Sequence, residues 1–553
     1  MSDGEPSLAQ WLRERGRDRE ILSWAEDLLV ELCEIDTTLG ADIDRLSQGE
    51  AACFALLETA MRSYLPIESD FKLLGVSPKS ASDPYYTIPY YAGEKKQDVA
   101  AVYGGRGSLF VDPVSDHEED YWLLNAHIDT VPPHIPPQRS GSGRVTGRGS
   151  VDDKNGLVVA VLVARFLVEL NQCFPRPAPA KVRYLFSIDE EMGGNGTLGA
   201  VSSLPDLDRA HIVVMEPSSS TPYPANRGAL WFSANVEQQK PGSQNIFWGV
   251  FKEVALCLAK TGLELQKNSS HALFSERDVQ TCFGLAGPFG HHPSSACNHV
   301  ELYWDLPQDI EGNELIAKAG QIVRERLDEA VAAGRVRHLS DDPEIEMSYD
   351  APGRPQMKLV VHARGGHMGS HARDTDALAK AAEFIDALEQ NGFGLPLWPE
   401  GEASLVFEGG QGFLPDRSLD NVMRLLEDAF AAGVKNSKKR YELDDQILTS
   451  LHFDKLHNAA YCSAEDAIGG EALTKSLARL RKDKLVPLRG WKASCDARIF
   501  ARHCPDVVTF GPGALEVAHS DEEYIDVVEI GEAAAAIVLA ILTTDAVGGG
   551  ETI

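Results

Sequence analysis

Residues 121–132 read YWLLNAHIDTVP: a run of mostly apolar residues that stops at His127, with Asp129 two positions on. Tyr121–Ala126 has the length and composition of a strand covered on both faces. The same texture recurs downstream. Gly156–Leu170 is an apolar helix, Val182–Ile188 (VRYLFSI) a second strand and His211–Met215 (HIVVM) a third, with a Gly-rich turn and a short helix between the last two. Upstream, Ile21–Ile35 carries apolar residues at helical spacing, and a second helix is expected over Glu50–Ser63. Strands alternating with helices predict an α/β domain with a mostly parallel sheet.

After Glu216 the character changes. Pro217–Pro224 (PSSSTPYP) is rich in breakers, and Gly228–Val236 (GALWFSANV) opens a β-rich region with longer loops. It is expected to hold strands over Val300–Leu306, Lys358–Ala363, Ser404–Glu408 and Ile447–Phe453, and a helix over Asn313–Ala332. Near Gly490 the α/β texture returns, with a strand over Asp506–Phe510 and a buried C-terminal helix around the apolar run Ala533–Leu542. The order of textures predicts one domain inserted in another: 1–226 and 466–553 around 227–465.

At 553 residues the chain is too long for a single hydrophobic core. Its 52 basic and 83 acidic residues leave a net charge of −31, which repels nucleic acid and anionic membranes; neither is an expected partner. The run Ala533–Leu542 is too short to cross a bilayer, which takes about 20 residues. The first residues are polar and unlike a signal peptide. Nine scattered cysteines without C-x-x-C spacing indicate neither a thiolate metal site nor a disulfide framework, and a cytoplasmic location is expected.

Five segments place His, Asp or Glu where an apolar strand stops, the position at which ligands gather in open α/β sheets. They are AHIDTVP (126–132), GRGSVDDKNG (147–156), SIDEEMGGNG (187–196), VVMEP (213–217) and FGPGALEVAHSDEEY (510–524). Residues two apart on an extended chain face the same way, so Asp129 is expected behind His127, holding its second ring nitrogen and fixing the tautomer that binds a metal. Asp152 is presented just before a helix, which Asp152 and Asp153 could also merely cap. Of the adjacent pair Glu190 and Glu191, one can bind metal while the other takes a proton from water. Glu216 and His519 complete the set. Each piece alone has a bland reading, as a structural histidine, a solvated acidic pair or a strand terminus. Their shared strand-to-turn context, at intervals of 25, 39, 25 and 303 residues, argues for one site.

With these motifs in order, the sequence resembles the co-catalytic zinc peptidases and deacylases, a family that includes acetylornithine deacetylase, succinyl-diaminopimelate desuccinylase, aminoacylase, carnosinase and carboxypeptidase G. HIDTVP, GRGSVDDKNG, IDEEMGGNG, MEPS, CDARIFARHCPDVVTFGPG and AHSDEEY carry the likeness. The resemblance implies a catalytic α/β domain and an inserted, enlarged α+β lid and dimerisation domain. It implies His127 and His519 as terminal ligands, Asp152 as the bridge between two zinc ions (or cobalt or manganese), and Glu191 and Glu216 as the remaining ligands. Glu190 would be the general base of an amide hydrolase acting on a small peptide or an N-acyl amino acid with a free carboxylate. RGALWF (227–232) matches the lid's first strand, and ARGGHMGSH (363–371) matches the loop whose histidine reaches a partner's site in dimeric members, which points to His367, or less directly to His371, against the reading of a turn histidine. Arg498 is a candidate for a substrate carboxylate or for a structural ion pair. The stretch 238–356 is an insertion, and GGQGFLPD (409–416) lacks the asparagine common in that lid motif. The homodimer rests on the resemblance alone, and the enlarged lid could leave a monomer.

Two readings compete. Gly194-x-Gly196-x-x-Gly199 with Glu216 further on imitates a dinucleotide fingerprint, but Asp189, Glu190 and Glu191 stand where a pyrophosphate would sit. A non-catalytic scaffold homologue would be expected to have lost a ligand or the base, and none is missing.

Overall fold

The computed structural model describes residues 7–545 apart from 114–119, 175–180, 205, 240–244, 276–278, 291–294, 307–311, 339–345, 351–355, 365, 368–374, 400–403, 444–445, 454–456 and 521. The chain forms two compact units, one of residues 1–226 with 461–553, the other of residues 227–460. The chain re-enters the first unit at Tyr461, which pairs with Asn226 in a short antiparallel ladder.

The first unit is built on a six-stranded sheet in the order β1 (Asp70–Gly75), β2 (Gly107–Asp112), β4 (Val182–Ser187), β3 (Tyr121–His127), β5 (Ala210–Val214) and β6 (Val507–Thr509). The pairs β4–β3, β3–β5 and β5–β6 are parallel, whereas β1–β2 and β2–β4 are antiparallel. This is the mostly parallel sheet that the texture predicts. Every residue of β3 and of β4 is buried, as for strands covered on both faces.

Helices α1 (Arg19–Glu34), α2 (Ile43–Arg62), α3 (Lys154–Cys173), α4 (Asn195–Val201) and α5 (Val527–Asp545) belong to the same unit. Helix α3 is buried on all sides from Lys154 to Phe166, and α5 from Ala533 to Ile541, which makes both core helices. Each buried Ile, Leu or Val there stabilises the fold by about 1.5–3 kcal/mol. The apolar helix at the C-terminal end is longer than the run Ala533–Leu542 by itself. Lys154–Cys173 and Val527–Thr544 are in fact long and apolar enough to cross a membrane, with 67% of each apolar window buried inside the fold. Helix α2 begins ahead of the expected Glu50, because Asp42 caps it by accepting a hydrogen bond from the Arg45 amide.

The second unit is α+β. Strands Phe289–Gly290, Thr281–Ala286, Ser404–Phe413, Gly228–Gln238 and Ile447–His452 form an antiparallel sheet in that order. His299–Asp305, Gln356–His362 and Glu346–Asp350 form a smaller one. The insertion holds the expected helix, at Gly312–Ala332, and a second one at Ile246–Asn268 whose aromatic face (Phe247, Trp248, Phe251) joins Phe232, Phe283 and Phe407 in the core. That second helix was not expected, because its opening IFWGVF is dense in residues that also favour strands.

Candidate metal centre

Parallel pairing decides where the site lies. Strand β3 runs between β4 and β5 in the same direction, with His127 level with Ser187 and Asn125 level with Val214. The residues that follow each strand, His127 at the end of β3, Glu190 and Glu191 after β4 and Glu216 after β5, therefore emerge together at the carboxyl ends of these parallel strands. The loop before α3 brings Asp152, and the loop after β6 brings His519, to the same place.

Two sets of candidate ligand atoms result, each within 4.8 Å of one another: His127, Asp152 and Glu216, and Asp152, Glu191 and His519. Asp152 belongs to both. Its Oδ1 lies 3.0 Å from His127 Nε2 and its Oδ2 3.2 Å from His519 Nε2. His519 Nε2 is also 3.0 Å from Glu191 Oε1, and Glu216 Oε1 is buried with no hydrogen-bond partner among the described residues.

The electrostatics fit divalent cations. Burial pushes Glu216 and Glu190 well above the ordinary carboxylate range, with neighbouring carboxylates adding to the shift, and raises Glu191 as well. The Glu191 carboxylate, with Asp152, pulls His519 up to about 11. For His127, burial opposes the charge, yet Asp129 and Asp152 still raise it well above the usual imidazole range. A site that draws protons onto two histidines has an excess of negative charge that cations would balance. His and carboxylate donors, with an orphaned buried oxygen beside them, suit such cations.

The supports differ in part from expectation. His127 Nδ1 is 3.0 Å from the Asp129 backbone carbonyl and 3.6 Å from the Asp129 carboxylate, so the carbonyl is the group that orients the ring. The Asp129 carboxylate instead accepts the amide N–H groups of Glu190 and Glu191, each at 3.1 Å. It thereby fixes the turn that carries the base candidate. Asp153 stands at the N-cap of α3 without a side-chain capping bond. Lys154 turns away and donates to the Leu32 and Ile35 carbonyls at 2.9 and 2.7 Å, at the C-terminal end of α1. Arg498 is buried, and its Nη2 donates to the Gly193 carbonyl at 2.8 Å, two residues past Glu191 in the same turn.

One contributor was missed. Glu523, at the end of AHSDEEY, accepts the amides of Val151 and Asp152 at 3.0 and 3.2 Å and Arg148 Nη1 at 2.6 Å. It ties the loop of His519 to the loop of Asp152. The motif contained it, but its target is remote in sequence and no spacing rule points there.

The glycines of the supposed dinucleotide fingerprint have a packing role. A Cβ on Gly196 would meet the Ile188 carbonyl oxygen at 2.3 Å, and one on Gly199 the Gly75 carbonyl oxygen at 2.9 Å. In the second unit, His367 lies on the strand Gly366–His367 paired with Ser295–Ala296, and its side chain lies outside the described residues, as does all of His371.

The family described as "Peptidase family M20/M25/M40" matches residues 123–544. A probable carboxypeptidase of Aspergillus terreus is 32% identical over 134 residues, 23% of this chain and 29% of that one. Another, of Aspergillus clavatus, is 32% identical over 168 residues, 28% of this chain and 35% of that one. The matched stretch thus spans 29% and 35% of the length of these curated relatives. Among solved structures, the dipeptidase Dug1p of Saccharomyces cerevisiae superimposes with a TM-score of 0.54 at 13% identity, covering 99% of both chains. Human carnosine dipeptidase 1 does so with a TM-score of 0.52 at 14% identity, covering 98% of this chain and all of its own. At these identities the likeness concerns the fold.

Proposed function

Because the chain belongs to peptidase family M20/M25/M40, we propose that it is a metal-dependent amide hydrolase acting on small peptides or N-acyl amino acids with a free carboxylate. The observation that carries this reading is the pair of three-residue clusters sharing Asp152. His127, Asp152 and Glu216 would hold one divalent ion, and Asp152, Glu191 and His519 the other, zinc being the best match to these donors and cobalt or manganese next. Bound there, paired ions acidify water and polarise a carbonyl.

Glu190 supplies the proton chemistry. Its carboxylate takes a proton from the attacking water and returns it to the leaving nitrogen. Asp129 holds the amides of both residues, and in this reading Glu191 binds while Glu190 works as a base. The names of the relatives, carboxypeptidases and dipeptidases, favour a peptide with a free terminal carboxylate over other amides. A cytoplasmic location and a homodimer belong to the same proposal, and the strongly negative chain disfavours nucleic acid and anionic membranes as partners. His367 is proposed to stabilise the oxyanion of the reaction.

Elemental analysis of the purified protein and of Asp152→Ala, with a panel of dipeptides and N-acyl amino acids, tests the reading. Close to two zinc, cobalt or manganese ions per chain, falling sharply in the variant, and hydrolysis of at least one panel member are expected. A wild type that takes up no metal when zinc is added would overturn it.

A further inference from the structure

The hundred residues ahead of β3 lie outside the segment matched by the family, yet four of their side chains converge on the catalytic turn. The focus is Asp189, fully buried and one residue before Glu190. Its backbone is left-handed, with φ of 58°, a conformation that costs a non-glycine residue energy and that Asp tolerates better than most. Arg106 Nη2 donates to Asp189 Oδ1 at 2.9 Å, and the hydroxyls of Tyr91 and Tyr103 both donate to Oδ2 at 2.6 Å. Arg106 is itself held by a two-point bond to Glu50, Nε to Oε2 at 2.8 Å and Nη2 to Oε1 at 2.6 Å, and its Nη1 reaches the Tyr91 hydroxyl at 2.9 Å. Asn195 Nδ2 donates to the Tyr103 hydroxyl at 2.8 Å and to the Thr87 carbonyl at 2.7 Å.

A turn that carries two adjacent carboxylates with different tasks depends on its first backbone angles. Strand β4 ends at Ser187, so the path of Glu190 is set at Ile188 and Asp189. The Gly194 amide closes the turn on the Asp189 carbonyl at 2.7 Å, and the Gly193 amide on that of Glu190 at 2.9 Å. Asp129 grips the Glu190 and Glu191 amides, and the Asp189 side chain is gripped on the other flank by three donors. Without those donors the buried carboxylate would lose what compensates its removal from water, and the left-handed residue would lose its anchor.

We propose that Asp189 is a positioning residue for Glu190 and that Glu50, Tyr91, Tyr103 and Arg106 form a clamp, supplied by the N-terminal segment, that holds it. The inference rests on the hydrolase reading for its catalytic meaning. The clamp touches neither substrate nor ion. It acts through the turn, on the direction of the base, and leaves the five ligands in place.

The test uses the full chain carrying both Tyr91→Phe and Tyr103→Phe, loaded with zinc, with Arg106→Lys as a second variant because a lysine cannot reproduce the forked bond to Glu50 and Asp189. Three quantities are read: kcat and KM on the best substrate of the panel, zinc per chain, and amide hydrogen exchange over residues 188–194. A fall of tenfold or more in kcat with KM within about twofold, unchanged zinc content and at least tenfold faster exchange confined to the turn are expected. Wild-type kcat in the double variant would overturn the proposal, as would losses of kcat and zinc in parallel, which would assign the network to the fold or to Glu191. If the double variant does not fold, Tyr91→Phe alone, at a half-buried position, is read in the same way with a smaller expected change. Should the zinc-loaded wild type hydrolyse nothing in the panel, the hydrolase reading falls, and the exchange rates alone decide whether the clamp holds the turn.

Discussion

Replacing Glu523 by glutamine would cut the link between two ligand loops without changing the side chain's size. Glu523 and Arg148 are 1% and 2% exposed, and their oxygen and nitrogen lie 2.6 Å apart. Glutamine keeps one acceptor. If that oxygen stays with the Val151 and Asp152 amides, the new NH2 group faces the Arg148 donor; if it turns to Arg148, two backbone N–H groups lose their acceptor. Breaking one side of a buried ion pair costs about 3–5 kcal/mol. Arg148 has two fallback acceptors, the Pro133 and Ser520 carbonyls, both at a long 3.3 Å, which reduces the expected cost to about 2–4 kcal/mol. At about 2–4 °C per kcal/mol for a large domain, the melting midpoint should fall by roughly 4–16 °C. The Asp152 loop should loosen as well, weakening the proposed metal binding by about 10–100-fold, the usual loss when a ligand's support is removed. Differential scanning calorimetry and a competitive zinc titration read the two effects. A variant that melts within a degree of wild type and binds zinc equally well would refute the argument that Glu523 holds the loop.

Glu190→Gln should keep its metal content while kcat drops by about 10²–10⁴-fold, as measured by steady-state kinetics with parallel elemental analysis; near-wild-type turnover would remove Glu190 from the proton-transfer role. In the second unit, burial pushes the Asp376 carboxyl up to about 7 even though it accepts the amides of Phe283, Leu378 and Ala379. A folded pKa above the unfolded value of about 3.9 means that its contribution is full below pH ~4 and is lost as pH rises through about 7. Unfolding of the wild type, compared with Asp376→Asn at pH 5 and pH 8, should therefore show a difference that shrinks or reverses by about 2–3 kcal/mol towards the higher pH, whereas a pH-independent difference would mean that Asp376 stays ionised in the fold.

The parts legible in the sequence share a local cause. A buried parallel strand announces itself as an unbroken apolar run, and a functional side chain at its end interrupts that run, so His127, Glu190, Glu191 and Glu216 stand out one strand at a time. Their convergence follows from the parallel order of the strands. What stayed hidden depends on pairing across the chain. Nothing near Glu50 or Arg106 marks them as partners of each other or of Asp189, because a charged residue in a helix, as Glu50 is, or in a loop ahead of a strand, as Arg106 is, usually faces solvent. The second task of the Asp129 carboxylate, holding the Glu190 and Glu191 amides, went unseen for a similar reason. Strand alternation gave its side, but the turn after β4 brought two amides closer to it than the imidazole. The helix at Ile246–Asn268 was concealed by a composition that suits either secondary structure.

The ladder between Ala225–Asn226 and Tyr461–Cys462 brings the exit and re-entry of the chain side by side within the first unit. An excursion that begins and ends at neighbouring residues is, for the host sheet, hardly different from a tight turn. Joining Asn226 to Tyr461 through a few glycines should thus yield a stand-alone host whose strand order is intact, and grafting a different module at the same two points should leave its folding undisturbed. The second unit is in this respect a cassette, attached to its host through two neighbouring points of the chain.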